Sequence, residues 1–478
     1  MDISKEQISK IVEEVVKGYL ENKSQPVAQA GYKPGGQDGV FPTIAEAVDA
    51  AFIAQKQFVR LPMEKRSEVL DSMRRKGLEN VRLLAEMAVA ETGMGRVEDK
   101  ITKKIVVLKR TPGLEDLAPR ALTGDGGLTL IEQGPFGIVG SITPSTNPAA
   151  TVMNNSLTML AAGNGVVFNF HPAAKKVSIK ALQLMNQAIQ EAGGPANLIT
   201  TVAEPNFQTG KDLMTNPKIR ILAVTGGPEV VKVAMQSSGK RVVGAGPGNP
   251  PVVVDETADI ELAAKEIILG ASFDNNIMCT CEKEIFVVEE VADELVRKMQ
   301  NHGAYLLNSY QAQKLTDLVI NPAKVGDLHP TANKKFVGKN ASFLAKAIGL
   351  DLPSDLRLLI AEVDRDHPLI YAEQLMPFLP VCRVRNVDEA IDLAVKAEHG
   401  FMHTASMFSK NVENLSEMAY RINSTIFVKN AATLAGLGGR GEGFTSMTIA
   451  GPTGEGPTSP RTFTRNRRCV LVDYFRII

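Results

Sequence analysis

The chain has 478 residues, too many for one small core, and its length points to two to four domains. Hydrophobic residues make up 44% and charged residues 22%, the balance of a globular enzyme and not of a fibrous or low-complexity chain. Lys plus Arg and Asp plus Glu number 53 each, so no net field favours nucleic acid or an acidic membrane, and no apolar run approaches the roughly 18 residues of a membrane span.

At the N-terminus, Ser4 and Gln7 read as a capping box. Ile8, Ile11, Val12, Val15 and Tyr19 then recur at helical spacing, with Lys10, Glu13, Glu14 and Lys17 on the opposite side. Residues 21–40 are rich in Gly, Pro and Gln and read as a flexible linker. A short amphipathic helix on a tether needs a partner for its apolar face, or it folds back onto the body. It is not a signal peptide, because charges interrupt the apolar stretch and no basic segment precedes it.

The body begins near Phe41. Residues 43–60 and 65–91 are expected to be helical. From Ile131 onward, short β-branched runs alternate with helical stretches. Gly137–Ile142, Gly165–Phe170, Ile219–Val224, Pro251–Val254, Glu284–Val288, Ala405–Phe408 and Ser424–Val428 read as strands. That alternation predicts two α/β domains with parallel sheets. Leu122–Gln133 and Arg468–Phe475 read as strands outside both.

Four cysteines, Cys279, Cys281, Cys382 and Cys469, form no disulfide framework and suit a reduced, cytosolic setting. Six His in no ligand spacing give no reason to expect a metal. Cys279 stands in an Asn-rich turn, Phe273-Asp-Asn-Asn-Ile-Met-Cys279, between a predicted helix and strand, where a thiolate could meet substrate. A buried structural thiol is the plainer alternative. Asn147 stands on the loop after a strand that ends at Thr143-Pro144, where an amide could donate to a developing oxyanion or could merely stabilise a turn. Thr225-Gly226-Gly227 joins a strand to a helix start whose N–H groups suit a pyrophosphate, although the full Gly-x-Gly-x-x-Gly pattern is missing.

In this order, the Pro-x-x-Asn-Pro loop, Thr-Gly-Gly, the cysteine and Glu373-Gln-Leu-Met-Pro377 resemble the aldehyde dehydrogenase superfamily. A closer resemblance is to the CoA-acylating aldehyde dehydrogenases of ethanolamine- and propanediol-utilising bacterial microcompartments, and to related butyraldehyde dehydrogenases. It is carried by Ile142–Pro148, Val243–Pro251, Phe273–Asn276, Ile426–Asn430, Pro452–Gly456 and Arg467–Val472. The resemblance implies a Rossmann-like cofactor domain, an α/β catalytic domain and a β oligomerisation arm. The implied boundaries are a targeting helix over 1–20, a linker over 21–40 and an NAD/CoA-binding domain over 41–245, with 120–133 in the arm. A catalytic domain over 246–440 and a C-terminal segment over 441–478 with an oligomerisation strand complete the chain.

The same resemblance implies Cys279 as nucleophile and Asn147 as oxyanion donor, together with the Cys279 backbone N–H. It implies Thr143, Pro144, Ser145, His171, Pro172, Thr225, Gly226, Gly227, Gly246 and Glu373 as cofactor-binding residues, with no metal. Hydrolytic members carry a water-activating Glu in a Glu-Leu-Gly-Gly segment. The matching stretch here, Gly244–Asn249, has no carboxylate, so the acyl-thioester should await the thiol of coenzyme A. His171 stands where hydrolytic relatives place a ribose-binding Lys. The expected reaction converts a short-chain aldehyde, propionaldehyde before acetaldehyde, with CoA and NAD⁺ into acyl-CoA and NADH. A hydrolytic dehydrogenase and a non-catalytic microcompartment adaptor are the alternatives. Cys281 is expected to be a neighbour or passive filler, facing the same way as Cys279 if the segment is extended. Expected partners are the aldehyde, CoA, a shell protein bound through residues 1–20, and further copies in a dimer or tetramer. Nucleic acid and membrane are not expected partners. The expected location is the microcompartment lumen in the cytoplasm.

Overall fold

A computed structural model describes residues 38–321 and 330–477. The amphipathic helix expected over 1–20, and most of the tether expected over 21–40, lie outside the described residues.

Two parallel sheets organise the body. The first has six strands in the order Val40–Phe41, Ile199–Val202, Gly165–Asn169, Ile138–Ile142, Ile219–Thr225, Arg241–Ala245. After the edge strand Val40–Phe41, the chain re-enters the sheet at the central strand Ile138–Ile142, moves out to one side, then returns and continues on the other. The switch point therefore lies between Ile138–Ile142 and Ile219–Thr225, and crevices at the carboxyl ends of such strands bind ligands. The second sheet has seven parallel strands, in the order Ala304–Leu307, Leu358–Glu362, Phe378–Val384, Glu284–Val288, Pro251–Val254, Thr404–Phe408, Ile426–Lys429. Its central strands Pro251–Val254 and Glu284–Val288 are buried throughout, as the near-continuous β-branched runs demand of a sheet covered on both faces. Residues 246–250 are the short bridge from the last strand of the first sheet to the centre of the second.

A third, antiparallel sheet joins Arg120–Gly124 and Gly127–Pro135 to Thr464–Val472. The strand expected over Arg468–Phe475 starts earlier and ends at Val472; Asp473 and Phe475 both turn to positive φ, which ends the ladder. Val470, Val472, Tyr474 and Phe475 are exposed.

Two helices differ from the sequence reading. The stretch 65–91 is not one helix but two, Met63–Glu79 and Val81–Thr92. Asn80 separates them, its side-chain amide donating back to the Lys76 carbonyl at 2.9 Å, the local competition that makes Asn a poor interior residue. The helix Val97–Arg110 was not anticipated. Glu98 and Asp99 in its first turn and Lys109 and Arg110 in its last complement the helix dipole. Its inward face, however, carries Lys100, Lys103 and Lys104 beside Val107 and Leu108, all buried, so no apolar stripe marks it.

Candidate active site

The turn that carries Cys279 follows the helix Ile260–Ser272. Asp274, Asn275 and Asn276 have φ of 49°, 55° and 61°, three consecutive left-handed residues without a glycine. Asp and Asn tolerate that region better than other side chains, because their short polar groups bond locally. Here each one is buried and fully engaged. Asn275 accepts from Arg96 Nε at 2.8 Å and donates to the Gly338 carbonyl and Asn340 Oδ1, both at 2.8 Å. Asn276 donates to the carbonyls of Ala271 and Glu282 at 2.7 and 2.8 Å and accepts from Lys283 Nζ. The Asn-rich turn is therefore a buried clamp and not an open polar loop.

Cys279 at the end of that clamp is partly exposed, whereas Cys281 is fully buried in a cluster with Phe273 and Met278. The segment is a turn, closed by Cys281 N–H donating to the Met278 carbonyl at 3.1 Å, so the two thiols do not share the alternation of an extended strand. Burial pushes the Cys279 thiol up to about 12, with the Glu373 carboxylate adding to the rise and Lys283 and Lys103 opposing it.

Asn147 occupies the N-cap position of the helix Pro148–Ala161, yet its side chain makes no capping bond. Its Oδ1 accepts instead from Lys103 Nζ. Its Nδ2 has only a 3.4 Å contact with Thr146 Oγ1. Lys103 also donates to Asp274 Oδ2 at 2.5 Å, and Lys100 reaches the same oxygen at 3.0 Å. Burial acts to raise the Asp274 carboxyl, but Lys103 and Lys100 outweigh it and hold it below its ordinary value. Burial lowers Lys100 to about 8 and Lys104 well below the usual lysine range.

The remaining predicted residues lie along the carboxyl edge of the first sheet. Thr143 follows Ile138–Ile142 and is buried, its hydroxyl unpartnered; Pro144 and Ser145 beside it are partly exposed. His171 follows Gly165–Asn169 and is exposed with Pro172; its Nδ1 accepts from Ala173 N–H at 3.2 Å. Thr225 ends its strand and shares a 3.1 Å hydroxyl contact with Thr448. Gly226 and Gly227 lead into the helix Pro228–Ser237, and a Cβ at Gly227 would meet nothing within 4 Å. An open glycine turn before a helix N-terminus, beside an unpartnered buried hydroxyl, fits a dinucleotide's phosphates. Gly246 follows Arg241–Ala245.

Cys279, Glu373 and His403 instead precede strands of the second sheet, at its amino edge. Gly248, in the bridge between the sheets, is where they meet. A Cβ there would lie 2.5 Å from the Cys279 carbonyl oxygen and 3.0 Å from the His403 ring, and Gly248 N–H donates to Glu373 Oε1 at 3.3 Å. Burial raises the Glu373 carboxyl and lowers His403 to about 4. Lys103, Asp274, Lys283, Gly248 and His403 escaped the sequence reading. The signal for Lys103 was its i, i+3, i+4 pattern with Lys100, Lys104, Val107 and Leu108, which becomes informative only once a buried carboxylate is known to face it.

A cavity of about 170 Å³ lies beside this centre, lined by Lys103, Val106, Leu269, Met278 and Leu437, with the Arg440–Glu266 ion pair also in its wall. Met278 immediately precedes Cys279, and Lys103 is the residue that holds Asn147.

The model of the Aldehyde dehydrogenase family matches residues 41–439. The acetylating acetaldehyde dehydrogenase EutE of Escherichia coli is 53% identical over 92% of this chain and 94% of its own length. Two solved structures have the same fold. The Rhodopseudomonas palustris propionaldehyde dehydrogenase with bound CoA and an acylated cysteine is 46% identical, with a TM-score of 0.88 over 92% of this chain and 99% of that one. The propionaldehyde dehydrogenase of the Clostridium phytofermentans fucose utilisation bacterial microcompartment is also 46% identical, with a TM-score of 0.89 over 92% and 100%. The chain belongs to the aldehyde dehydrogenase family.

Proposed function

We propose that this protein oxidises a short-chain aldehyde to its acyl-CoA, through a thioester on Cys279. The CoA-acylating activity with a nicotinamide cofactor is that of its relatives, at identities and coverage that span nearly the whole chain. The assignment of roles rests on one observation above all: an Asn147 amide that forgoes capping, has its oxygen held by Lys103, and keeps its NH₂ almost uncommitted.

Cys279 gives its proton to solvent and its sulfur attacks the aldehyde carbon. The carbonyl oxygen gains negative charge and is met by Asn147 Nδ2–H and the Cys279 backbone N–H. A nicotinamide bound in this protein would supply the hydride acceptor. Thr143, Pro144, Ser145, His171, Pro172, Thr225, Gly226, Gly227 and Gly246 line the first sheet's carboxyl edge where it would be held, with Glu373 at the second sheet's amino edge, accepting from Gly248 N–H of the bridge. The CoA thiol then attacks the thioester carbon and Cys279 sulfur leaves. The absence of a carboxylate from the stretch Gly244–Asn249 supports acyl transfer to CoA over hydrolysis, because no side chain there can activate a water. The cavity suits a small aliphatic chain, since an engineered apolar cavity of roughly 150 Å³ admits benzene. We assign propionaldehyde as the preferred substrate, with acetaldehyde next. CoA-dependent NADH formation across C2 to C5 aldehydes tests both points, and NADH formation that continues undiminished without CoA would mean a hydrolytic enzyme.

The finer domain roles and partners belong to the same proposal. Residues 41–245 bind cofactor, 246–440 carry the nucleophile, and the antiparallel sheet of 120–133 with the 441–478 segment joins copies into a dimer or tetramer, consistent with its exposed apolar residues. Residues 1–20 address the enzyme to a shell protein and so to the microcompartment lumen. Among the described residues no helix is long and apolar enough to cross a membrane. Deleting 1–20 should leave kinetics intact and abolish co-purification with shells; loss of activity would place that segment in the folded body.

A further inference from the structure

Resting on the reading of Asn147 as the oxyanion donor, we infer that Lys103 is its positioning residue: anchored on Asp274, it pins Oδ1 and turns the Nδ2–H donor toward the reacting carbonyl.

An Asn amide is symmetric in shape and asymmetric in chemistry. Only one of its two ends can donate to an oxyanion, and a half-turn about its last bond exchanges them. An N-cap Asn would ordinarily spend its oxygen on a backbone N–H of the first helical turn. Here that bond is absent, so some other group must fix the amide's orientation. Lys103 does so. Its ammonium has donors and no acceptor, so it can bind Oδ1 and never Nδ2. Asp274, at 2.5 Å on the far side of the same ammonium, is fully buried and keeps Lys103 from swinging away. The helix Val97–Arg110 supplies the rigid support, and Lys103 projects from it into the wall of the cavity beside Met278.

The pairing also has an electronic consequence. A cation on the amide oxygen draws density from the nitrogen and makes its hydrogens stronger donors, and such polarisation is larger in a low-dielectric interior. Lys103 therefore acts on the reaction through Asn147 without touching the substrate. Lys100 bonds the same carboxylate, whereas the Asn147 oxygen accepts from Lys103, so the two lysines are separable in role.

A double-mutant cycle on kcat tests this, read as CoA-dependent NADH formation at saturating aldehyde, CoA and NAD⁺. Asn147→Ala should lower kcat by about 10²-fold or more, the cost of one oxyanion donor. Lys103→Met should lower it by roughly 10- to 100-fold, the loss of one hydrogen bond to a charged group. The double variant should be no slower than Asn147→Ala alone, because Lys103 has nothing left to orient. A purely structural role would make the two losses multiply, and that result overturns the inference, as does a Lys103→Met enzyme at wild-type kcat. An Asn147→Ala enzyme at wild-type kcat would sink the oxyanion reading itself, and is distinguishable because it appears in a different arm of the cycle. Should Lys103→Met not fold, Lys103→Gln keeps a donor for Oδ1 without the charge and is read in the same cycle.

Discussion

Gly248 lies directly beneath Cys279: a methyl group on its Cα would stand 2.5 Å from the Cys279 carbonyl oxygen. Its backbone needs no left-handed conformation, so the glycine serves close approach alone. Gly248→Ala should displace the cysteine turn, destabilise the fold by about 1–3 kcal/mol as overpacking does, and lower kcat by roughly 10²-fold through misplacement of the reacting sulfur. Thermal denaturation and steady-state kinetics together check it; a fully active variant would mean the turn can yield without moving the thiol.

The two neighbouring thiols should separate cleanly. Cys279→Ala is expected to abolish acyl-CoA formation. Cys281→Ala removes only a buried sulfur whose one contact of note is 3.9 Å from the Phe273 carbonyl, and should retain most activity at some cost in stability. Intact-protein mass spectrometry of enzyme given aldehyde and NAD⁺ without CoA should find an acyl adduct on wild type and on Cys281→Ala, and none on Cys279→Ala. Equal loss of the adduct from both variants would mean the nucleophile is wrongly assigned.

The Cys279 thiol should react slowly near neutrality. Burial is the main reason its titration lies at about 12, so at pH 8 the free enzyme holds almost no thiolate there. Alkylation of the Cys279 peptide by iodoacetamide should therefore keep rising with pH well beyond the ordinary cysteine range. Glu373 adds a like charge that raises the thiol further. Glu373→Gln removes it, shifts the titration down, and should speed alkylation at pH 8 by roughly 3- to 10-fold. A slower reaction in that variant would reverse the sign of the interaction.

Among the described residues, Asp274 is the one carboxylate bonded to both Lys100 and Lys103. Asp274→Ala leaves two buried ammonium groups without it, a change that should cost about 3–5 kcal/mol. Urea unfolding gives the measure. A loss below about 1 kcal/mol would mean the lysines find water or another acceptor once the carboxylate is gone.

The alternation of β-branched runs with helices was enough to predict both parallel sheets, because strands covered on both faces must be apolar almost throughout. Ile138–Ile142, Pro251–Val254 and Glu284–Val288 are such strands. Cys279 and Asn147, proposed as nucleophile and oxyanion donor, could be singled out for a different reason: each stands in a compact local motif flanked by Pro, Asn or Gly that resembles the family's. What escaped was long-range and polar. The helix Val97–Arg110 turns three lysines inward, and a periodicity search treats lysine as a surface residue. Their partner Asp274 is over 170 positions away, and nothing local to either segment announces that pairing. The Asp-Asn-Asn run looked like a reachable turn because polar side chains usually face water. Its residues are polar for another reason: that backbone conformation is least costly for Asn and Asp, and the three side chains then hold the backbone in place.

The chain of contacts from Asn147 through Lys103 to Asp274 crosses from the first sheet's layer to the second's. Chimeras between relatives, cut at the bridge 246–250, would exchange whole sheets and keep every strand intact, yet would join a donor tuned by one parent to an anchor from another. Such hybrids should fold and turn over poorly unless residues 97–110 travel with 273–276. Recombination within this architecture has a natural unit that no contiguous stretch of sequence contains.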